Sequence, residues 1–117
     1  MIAGVGLDII EIGRVADLVE HLGRFLERVL TDNELVYFQK LHGRRKIEFL
    51  AGRFAAKEAF AKAFGTGIGE SLSFRDIEIA SSPLWQPKII APVSEGVHLS
   101  ITHTKEYAAA QVILEKQ

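Results

Sequence analysis

The fold is decided by the stretch from Arg44 to Phe64, which reads RRKIEFLAGRFAAKEAFAKAF. It is rich in alanine, lysine, glutamate, leucine and phenylalanine, and it contains no proline. Most of these residues favour helix, and the single glycine, Gly52, weakens a helix without ending it. We therefore expect one long helix, ended by the glycine-rich segment 65–69.

The segments before this helix predict a strand and two shorter helices. Met1–Ile10 is apolar apart from one charged residue, Asp8, and predicts a strand. Apolar residues at helical spacing predict an amphipathic helix over Glu11–Leu22. The segment Thr31–Glu34 has the residues of a capping box, which predicts a helix from Thr31 to about Leu41.

The second half of the chain changes to strand patterns, separated by turn residues such as the Ser-Ser-Pro of positions 81–83. Helices first and strands later predict an α+β fold. We expect one domain, residues 1–117, in which an antiparallel sheet, joined by the N-terminal strand, packs against one long and several short helices. The four predicted strands are Arg75–Ala80, Pro87–Ala91, Val97–Thr104 and Tyr107–Leu114.

Composition excludes several classes of function. The 117 residues are 48% hydrophobic and 25% charged, which suits one globular domain with a modest core. The absence of cysteine excludes disulfide scaffolds, thiolate zinc sites and cysteine nucleophiles. No apolar run is long enough for a membrane span, and the N-terminus lacks an export pattern, so a cytoplasmic protein is expected.

The formal net charge of −1 argues against a nucleic-acid coat protein, but it conceals an uneven distribution. Residues 1–39 carry three basic and seven acidic groups, whereas residues 40–62 carry seven basic and two acidic groups. The basic segment is interpreted either as a solvated helix face or as an anion-binding surface next to a glycine-rich helix end.

Two carboxylates are candidates for a metal site. Asp8 is an acid in an apolar strand, which is costly unless it is paired, coordinated or exposed at the strand's end. Glu58 lies on a helix face with Phe54 and Lys62. It is either half of a surface ion pair with Lys62 or an inward carboxylate that requires a cation. Asp8 and Glu58 together could hold Mg²⁺, and Lys62 could then reach a phosphate bound to the same ion.

Two further motifs are less specific. In Gly65-Thr66-Gly67, one glycine is explained as a helix cap, and the others could let the backbone approach a ligand or form an anion nest. The order helix-then-glycines excludes a Walker A loop and a Rossmann fingerprint. His103, in Ser100–Thr104, is either structural or a donor to a ligand, and it belongs to no Ser/His/Asp triad.

Together these motifs resemble the short bacterial members of the 4′-phosphopantetheinyl transferase superfamily, the holo-[acyl-carrier-protein] synthases. The resemblance covers nearly the whole chain, in order. It rests on Gly6–Ile9, Arg53–Ala59 with Lys62, Gly65–Gly67 and Ser100–Thr104.

The resemblance implies a reaction in lipid biosynthesis. The 4′-phosphopantetheine arm of coenzyme A moves to a serine of apo acyl carrier protein, and adenosine 3′,5′-bisphosphate is released with Mg²⁺ required. It implies that Asp8 and Glu58 ligate the metal, that Lys62 contacts the pyrophosphate, and that all three are catalytic. Glu58 is the preferred general base, directly or through a metal-bound water.

The resemblance also implies the binding surfaces. We expect coenzyme A to contact Arg45, Arg53, Lys62, Gly65, Thr66, Gly67, His103 and Thr104, and the acidic carrier protein to contact Arg14, Arg24 and Arg28. A homotrimer with sites between subunits is implied, and neither nucleic acid nor membrane is expected as a partner. Trp85–Lys88 departs from the family's usual Gly-Lys-Pro, so the resemblance does not specify which residues there contact the adenine.

Two alternatives use the same residues differently. The carboxylate pair also suits another small phosphate-ester enzyme, such as a nucleotide hydrolase. The basic segment 40–62 also suits a non-catalytic module that binds a polyanion, although the phenylalanines fit a core face better than a base-stacking platform.

Overall fold

The chain has an α+β fold, as predicted. The structure is a computed structural model, and it describes residues 1–82 and 84–117. In chain order the elements are β1 (Ile2–Glu11), α1 (Ile12–His21), α2 (Phe25–Val29), α3 (Asp32–Gln39), α4 (Arg44–Phe64), a 3₁₀ turn (Phe74–Asp76), β2 (Glu78–Ser82), β3 (Trp85–Ala91), β4 (Val97–His103) and β5 (Tyr107–Glu115).

Among the residues that the structure describes, the strands form two antiparallel sheets instead of one. A three-stranded sheet has the order β1-β5-β4, and β2 pairs with β3 in a separate two-stranded sheet. β3 lies beside β4 but shares no hydrogen-bonded ladder with it. Alternation of apolar residues indicates which face of a strand is buried, but it does not indicate which strand is the partner. The sequence pattern therefore could not predict that the strands belong to two separate sheets.

The long helix α4 packs across the three-stranded sheet, mainly on β1 and β5. Two glycines make the contact with β1 unusually close. A methyl group on Gly4 or Gly6 would collide with the main-chain carbonyl of Ala63 or Ala59, respectively. Because of these glycines, the strand backbone lies directly against the helix backbone, and the residues that follow Gly6 lie beside the helix.

A buried ion pair joins α4 to the neighbouring elements of the core. Lys57 is fully buried, and its Nζ lies 2.6 Å from Glu34 Oε1 and 2.6 Å from the carbonyl of Val29. Glu34 completes the predicted capping box with Thr31, and its Oε2 accepts a hydrogen bond from the N–H of Ile79 at 2.7 Å. The pair therefore ties α2, α3, α4 and β2 together.

Some boundaries differ from the prediction. The short helix α2 was not predicted, and Arg75, predicted in a strand, lies in the 3₁₀ turn, where Ser73 and Asp76 form a second capping box. β2 runs to Ser82, so the predicted 81–83 connection begins inside it, and Pro83 lies outside the described residues. Among those residues no helix is long and apolar enough to cross a membrane.

Candidate active site

Asp8 and Glu58 meet in one cavity. The close packing of β1 on α4 brings them to the wall of a cavity of about 510 Å³, together with Lys62 and Arg14. Asp8 comes two residues after Gly6 on β1, so the glycine contact sets its distance from the helix. The structure thus brings together the three residues predicted to be catalytic.

Lys62 pairs with Asp8. Its Nζ lies 3.0 Å from Asp8 Oδ1 and donates to the carbonyl of Leu7 at 3.0 Å. This ion pair spans strand and helix, unlike the Glu58–Lys62 surface pair that was weighed from the sequence. The Lys62 side chain is half exposed and can also contact an anion in the cavity.

The electrostatics of the pair favour a bound cation. Burial raises the pKa of Glu58, the negative charge of Asp8 raises it further, and Lys62 opposes both effects. Two carboxylates facing one cavity repel each other, and a divalent cation between them would relieve that repulsion. The described residues contain no group of three or more metal-binding side chains. A pair of carboxylates fits Mg²⁺, which usually takes one or two from the protein and completes its octahedron with water and phosphate.

A second cavity, of about 280 Å³, gathers Arg45, Arg53 and His103. Arg53 is only 6% exposed; its guanidinium carbon lies 4.3 Å from the ring centre of Phe49, and it donates to Ser81 Oγ at 3.2 Å. Its buried Nε has no hydrogen-bond partner among the described residues. Burial lowers the pKa of Arg53, so an anion in this cavity would stabilise the charged guanidinium.

The two cavities lie on different faces of α4. Arg53 and Glu58 are five positions apart, which is about 140° of rotation around the helix. Arg45 and Glu58 are separated by about 20 Å along its axis. The structure therefore brings Asp8, Glu58 and Lys62 together and Arg45, Arg53 and His103 together, but it keeps these two groups apart within one chain.

The glycine-rich segment is used as a helix cap. Gly65 and Gly67 have positive φ values of 100° and 68°, and both donate their N–H groups to the carbonyl of Ala61. The predicted anion nest is therefore wrong for these two N–H groups, because the helix end already uses them. Thr66 donates its hydroxyl to the carbonyl of Gly67 at 2.8 Å. A coenzyme A contact by residues 65–67 stays a prediction.

The remaining predicted residues are exposed. Arg14 lines the Asp8 cavity, whereas Arg24 and Arg28 lie at the start and the end of α2. Thr104 lies in the β4–β5 turn, where its Oγ1 accepts the N–H groups of Glu106 and Tyr107. The structure thus gives Thr104 a role in the turn, and its predicted ligand contact is untested.

Sequence reasoning missed the buried pair. Lys57 was counted with the basic segment 40–62, but it is fully buried and belongs to the core. Alanines at positions 55, 56, 59 and 61 surround Lys57 in the sequence, and this apolar context was the available signal. Pro87 also lines the cavity of Arg45 and His103. From the sequence it was named only as part of Trp85–Lys88, the segment that differs from the family's usual Gly-Lys-Pro.

Comparison with known proteins decides the family. The family model described as "4'-phosphopantetheinyl transferase superfamily" matches residues 4–112. The chain belongs to this superfamily. The holo-[acyl-carrier-protein] synthases of Anoxybacillus flavithermus and Bacillus subtilis are each 58% identical to it, with 99% of this chain and 98% of each relative covered.

Solved structures agree. A holo-(acyl-carrier-protein) synthase from Bacillus anthracis, in complex with CoA (3',5'-ADP), superposes with a TM-score of 0.90 at 50% identity, covering 100% of this chain and 99% of that one. The synthase from Helicobacter pylori, in complex with coenzyme A, gives 0.79 at 36% identity, covering 95% and 99%. The predictions of the fold and of an enzyme of the holo-[acyl-carrier-protein] synthase class are confirmed.

Proposed function

We propose that the chain transfers 4′-phosphopantetheine from coenzyme A to a serine hydroxyl of an apo acyl carrier protein, and that it requires Mg²⁺. The observation that carries this proposal is the convergence of Asp8, Glu58 and Lys62 in one cavity. The names of the relatives and the coenzyme A complexes among the solved structures support the two substrates.

In this proposal each residue has a defined task. Asp8 and Glu58 hold Mg²⁺, which supplies positive charge to the diphosphate of coenzyme A. Lys62 adds a second positive charge as the phosphorus–oxygen bond to adenosine 3′,5′-bisphosphate breaks. Glu58 accepts the proton of the serine, directly or through a metal-bound water, as the serine oxygen bonds to phosphorus.

Coenzyme A would extend between two subunits. The cavity of Arg45, Arg53 and His103 suits the 3′-phosphate, because a buried guanidinium with an unpartnered Nε favours an anion. One chain holds this cavity and the carboxylate cavity on different faces of α4, so the neighbouring subunit of a homotrimer would supply one of them. We place this enzyme in the cytoplasm, with neither nucleic acid nor membrane as a partner.

The outer face of β1 suits a subunit interface. Val5, Leu7 and Ile9 are 54–65% exposed and follow each other on the side of the strand that faces away from α4. We expect Leu7→Glu to give a monomer by sedimentation, whereas Val36→Glu, at a similarly exposed position on α3, should keep the wild-type assembly. Identical sedimentation of all three proteins would contradict this interface.

The carrier protein would dock beside the carboxylate cavity. Arg14 lies on α1 at the rim of that cavity, and Arg24 and Arg28 are exposed at the start and the end of α2, which contacts α1. An acidic carrier protein suits this surface. Arg14→Glu should raise the KM for the carrier protein. An unchanged KM would contradict this docking surface.

The decisive experiment is intact mass spectrometry of an apo acyl carrier protein incubated with coenzyme A, Mg²⁺ and this protein. We expect the carrier protein to gain one phosphopantetheine arm and adenosine 3′,5′-bisphosphate to be released. Asp8→Asn should abolish the gain, with folding checked by circular dichroism. No mass gain with a competent carrier protein, or hydrolysis of coenzyme A without transfer, would overturn the proposal.

A further inference from the structure

Arg53 lines two cavities. The first is the cavity of Arg45 and His103, which we call the anion cavity. The second has a volume of about 310 Å³ and contains Ser81 of β2, and we call it the Ser81 cavity. Within the part of the chain that the structure describes, Ser81 lines only the second of the two. Ser81 can therefore affect a ligand in the anion cavity through Arg53.

The guanidinium group of Arg53 is held by two side chains. Ser81 Oγ accepts a hydrogen bond from Arg53 Nη2 at 3.2 Å, and the guanidinium carbon lies 4.3 Å from the ring centre of Phe49. Across residues 1–82 and 84–117, Ser81 is the only hydrogen-bond partner of the Arg53 side chain. Removing the serine hydroxyl would leave the guanidinium with the aromatic contact alone.

The fold fixes the position of Ser81. Two hydrogen bonds at consecutive residues tie β2 to α3: the N–H of Ile79 donates to Glu34 Oε2 at 2.7 Å, and the Asn33 side chain donates to Glu78 Oε2 at 3.1 Å. Ser81 comes two residues after Ile79 on this anchored strand. Its position therefore depends on the strand and not on the guanidinium that it contacts.

The charge of Arg53 is not neutralised by a contact. Among the described residues, no carboxylate forms an ion pair with it. Glu34 and Glu78 line the Ser81 cavity, but each already accepts a hydrogen bond from another side chain. The negative charge of Glu34 opposes the effect of burial on the pKa of Arg53. A neutral hydroxyl thus orients the guanidinium, and its positive charge stays available to an anion.

We propose that Ser81 is a positioning residue for Arg53 and contributes to the recognition of the 3′-phosphate of coenzyme A. The inference rests on the proposed function, which places that phosphate in the anion cavity. Ordering a flexible arginine side chain upon binding costs conformational entropy and weakens the affinity. Because Ser81 and Phe49 already hold the guanidinium in the free protein, this cost is smaller. Ser81 therefore raises the preference for coenzyme A over dephospho-coenzyme A, which lacks the 3′-phosphate.

Three substitutions separate the effect of the hydroxyl from that of charge. Ser81→Ala removes the hydrogen bond, and Ser81→Thr keeps the hydroxyl on a side chain that suits a strand. Ser81→Asp keeps an acceptor but adds a negative charge, which would pair with Arg53 and compete with the phosphate. Ser73→Ala is the matched control, because it removes a serine hydroxyl that also accepts a hydrogen bond, at the 3₁₀ turn.

The test is calorimetry in the presence of Mg²⁺, and the measured ratio is the Kd of dephospho-coenzyme A divided by the Kd of coenzyme A. We expect this ratio to exceed about ten in the wild type and to fall about three- to tenfold in Ser81→Ala. It should fall further in Ser81→Asp and stay unchanged in Ser81→Thr and Ser73→Ala.

The outcomes separate this inference from the function on which it rests. An unchanged ratio in Ser81→Ala would overturn the inference and leave the proposed function standing. A wild-type ratio of one would overturn the 3′-phosphate site and, with it, the inference. A wild-type protein that binds neither ligand would overturn the proposed function itself.

A double-mutant cycle with Arg53→Met tests whether Ser81 acts through Arg53. In the Arg53→Met background, Ser81→Ala should leave the ratio unchanged, because the side chain that Ser81 positions is gone. A further fall of about threefold or more would show that Ser81 acts on the ligand independently of Arg53, and it would overturn the inference.

Nuclear magnetic resonance of the free protein tests the positioning without a ligand. Nitrogen-15 relaxation of Arg53 Nε should indicate larger motion on the picosecond-to-nanosecond timescale in Ser81→Ala than in the wild type. Ser81→Thr should restore the wild-type value, which a mere change of stability would not affect. Equal motion in all three proteins would contradict the positioning role.

Discussion

Substituting Glu34 with glutamine should destabilise the protein severely while changing few atoms. Glu34 Oε1 accepts hydrogen bonds from Lys57 Nζ at 2.6 Å and from the N–H of Thr31 at 2.9 Å, and Oε2 accepts one from Ile79 at 2.7 Å. A glutamine has one acceptor oxygen, so its amino group would face a donor at one of these places. It would also leave the buried ammonium of Lys57 without a counter-charge.

The expected cost follows from burial. Lys57 and Glu34 have side chains that are 0% and 2% exposed, and removing one member of such a pair costs about 3–5 kcal/mol. A domain of this size has about 5–15 kcal/mol of total stability, so the loss is a large part of it. With about 4 °C per kcal/mol for a chain of this length, the midpoint of thermal unfolding should fall by about 10–20 °C.

The assay is urea unfolding followed by circular dichroism, with Asp32→Asn as the matched control. Asp32 pairs with Arg75 at the same 2.6 Å separation, but these side chains are 91% and 43% exposed. That substitution should cost about 1 kcal/mol or less. The two ion pairs have the same separation and differ in burial. A loss below about 1 kcal/mol for Glu34→Gln, similar to that of the exposed pair, would refute the reasoning, because burial would then add no penalty to breaking the pair.

A double-mutant cycle checks the assignment of the loss to the pair. Lys57→Met should cost less in the Glu34→Gln background than in the wild type, because the charge that Lys57 balances is already gone. We expect a coupling of at least about 1 kcal/mol. Additivity within about 0.5 kcal/mol would show that the two side chains act independently.

Further predictions concern the site. Gly6→Ala should lower the free energy of unfolding by about 1–3 kcal/mol, because its methyl group meets a main-chain carbonyl. Gly13→Ala, in open space on α1, should stabilise the protein. Equal unfolding midpoints of the two variants in urea would contradict this. The negative charge of Asp8 raises the pKa of Glu58, so Asp8→Asn should lower that pKa in a carbon-13 titration, and an unchanged pKa would refute the coupling. In the wild type, the metal-dependent rate should fall as acid protonates Glu58. Arg53→Met should weaken coenzyme A binding more than dephospho-coenzyme A binding in calorimetry, with equal losses as the contrary result.

The sequence predicted the long helix well because its local signals agreed. Helix-forming residues fill positions 44–64, and a glycine cap follows, so the observed helix Arg44–Phe64 has the predicted ends. The five-residue helix α2 has no comparable signal, since so short a helix depends on tertiary contacts. The division into two sheets also depends on pairing between distant strands.

The candidate site was predicted in its residues and not in its geometry. Asp8, Glu58 and Lys62 were identified as a group, but the ion pair considered among them was Glu58–Lys62, at i,i+4 spacing, and not Asp8–Lys62. The Asp8–Lys62 contact follows from the close approach of β1 to α4 at Gly4 and Gly6. The separation of Arg53 from Glu58 around α4 became clear only once the cavities were located.

The pairing of β1 with β5 has a consequence for the order of folding. Asp8 lies on a strand whose ladder partner is Tyr107–Glu115, about 100 residues later in the chain. A nascent chain that has not yet released those residues from the ribosome has no partner for its first strand. The long helix can form early from local contacts, whereas the ladder that holds β1 in the sheet forms late. Chains cut short before β5 would therefore lack the strand that holds β1, and with it Asp8, in the sheet.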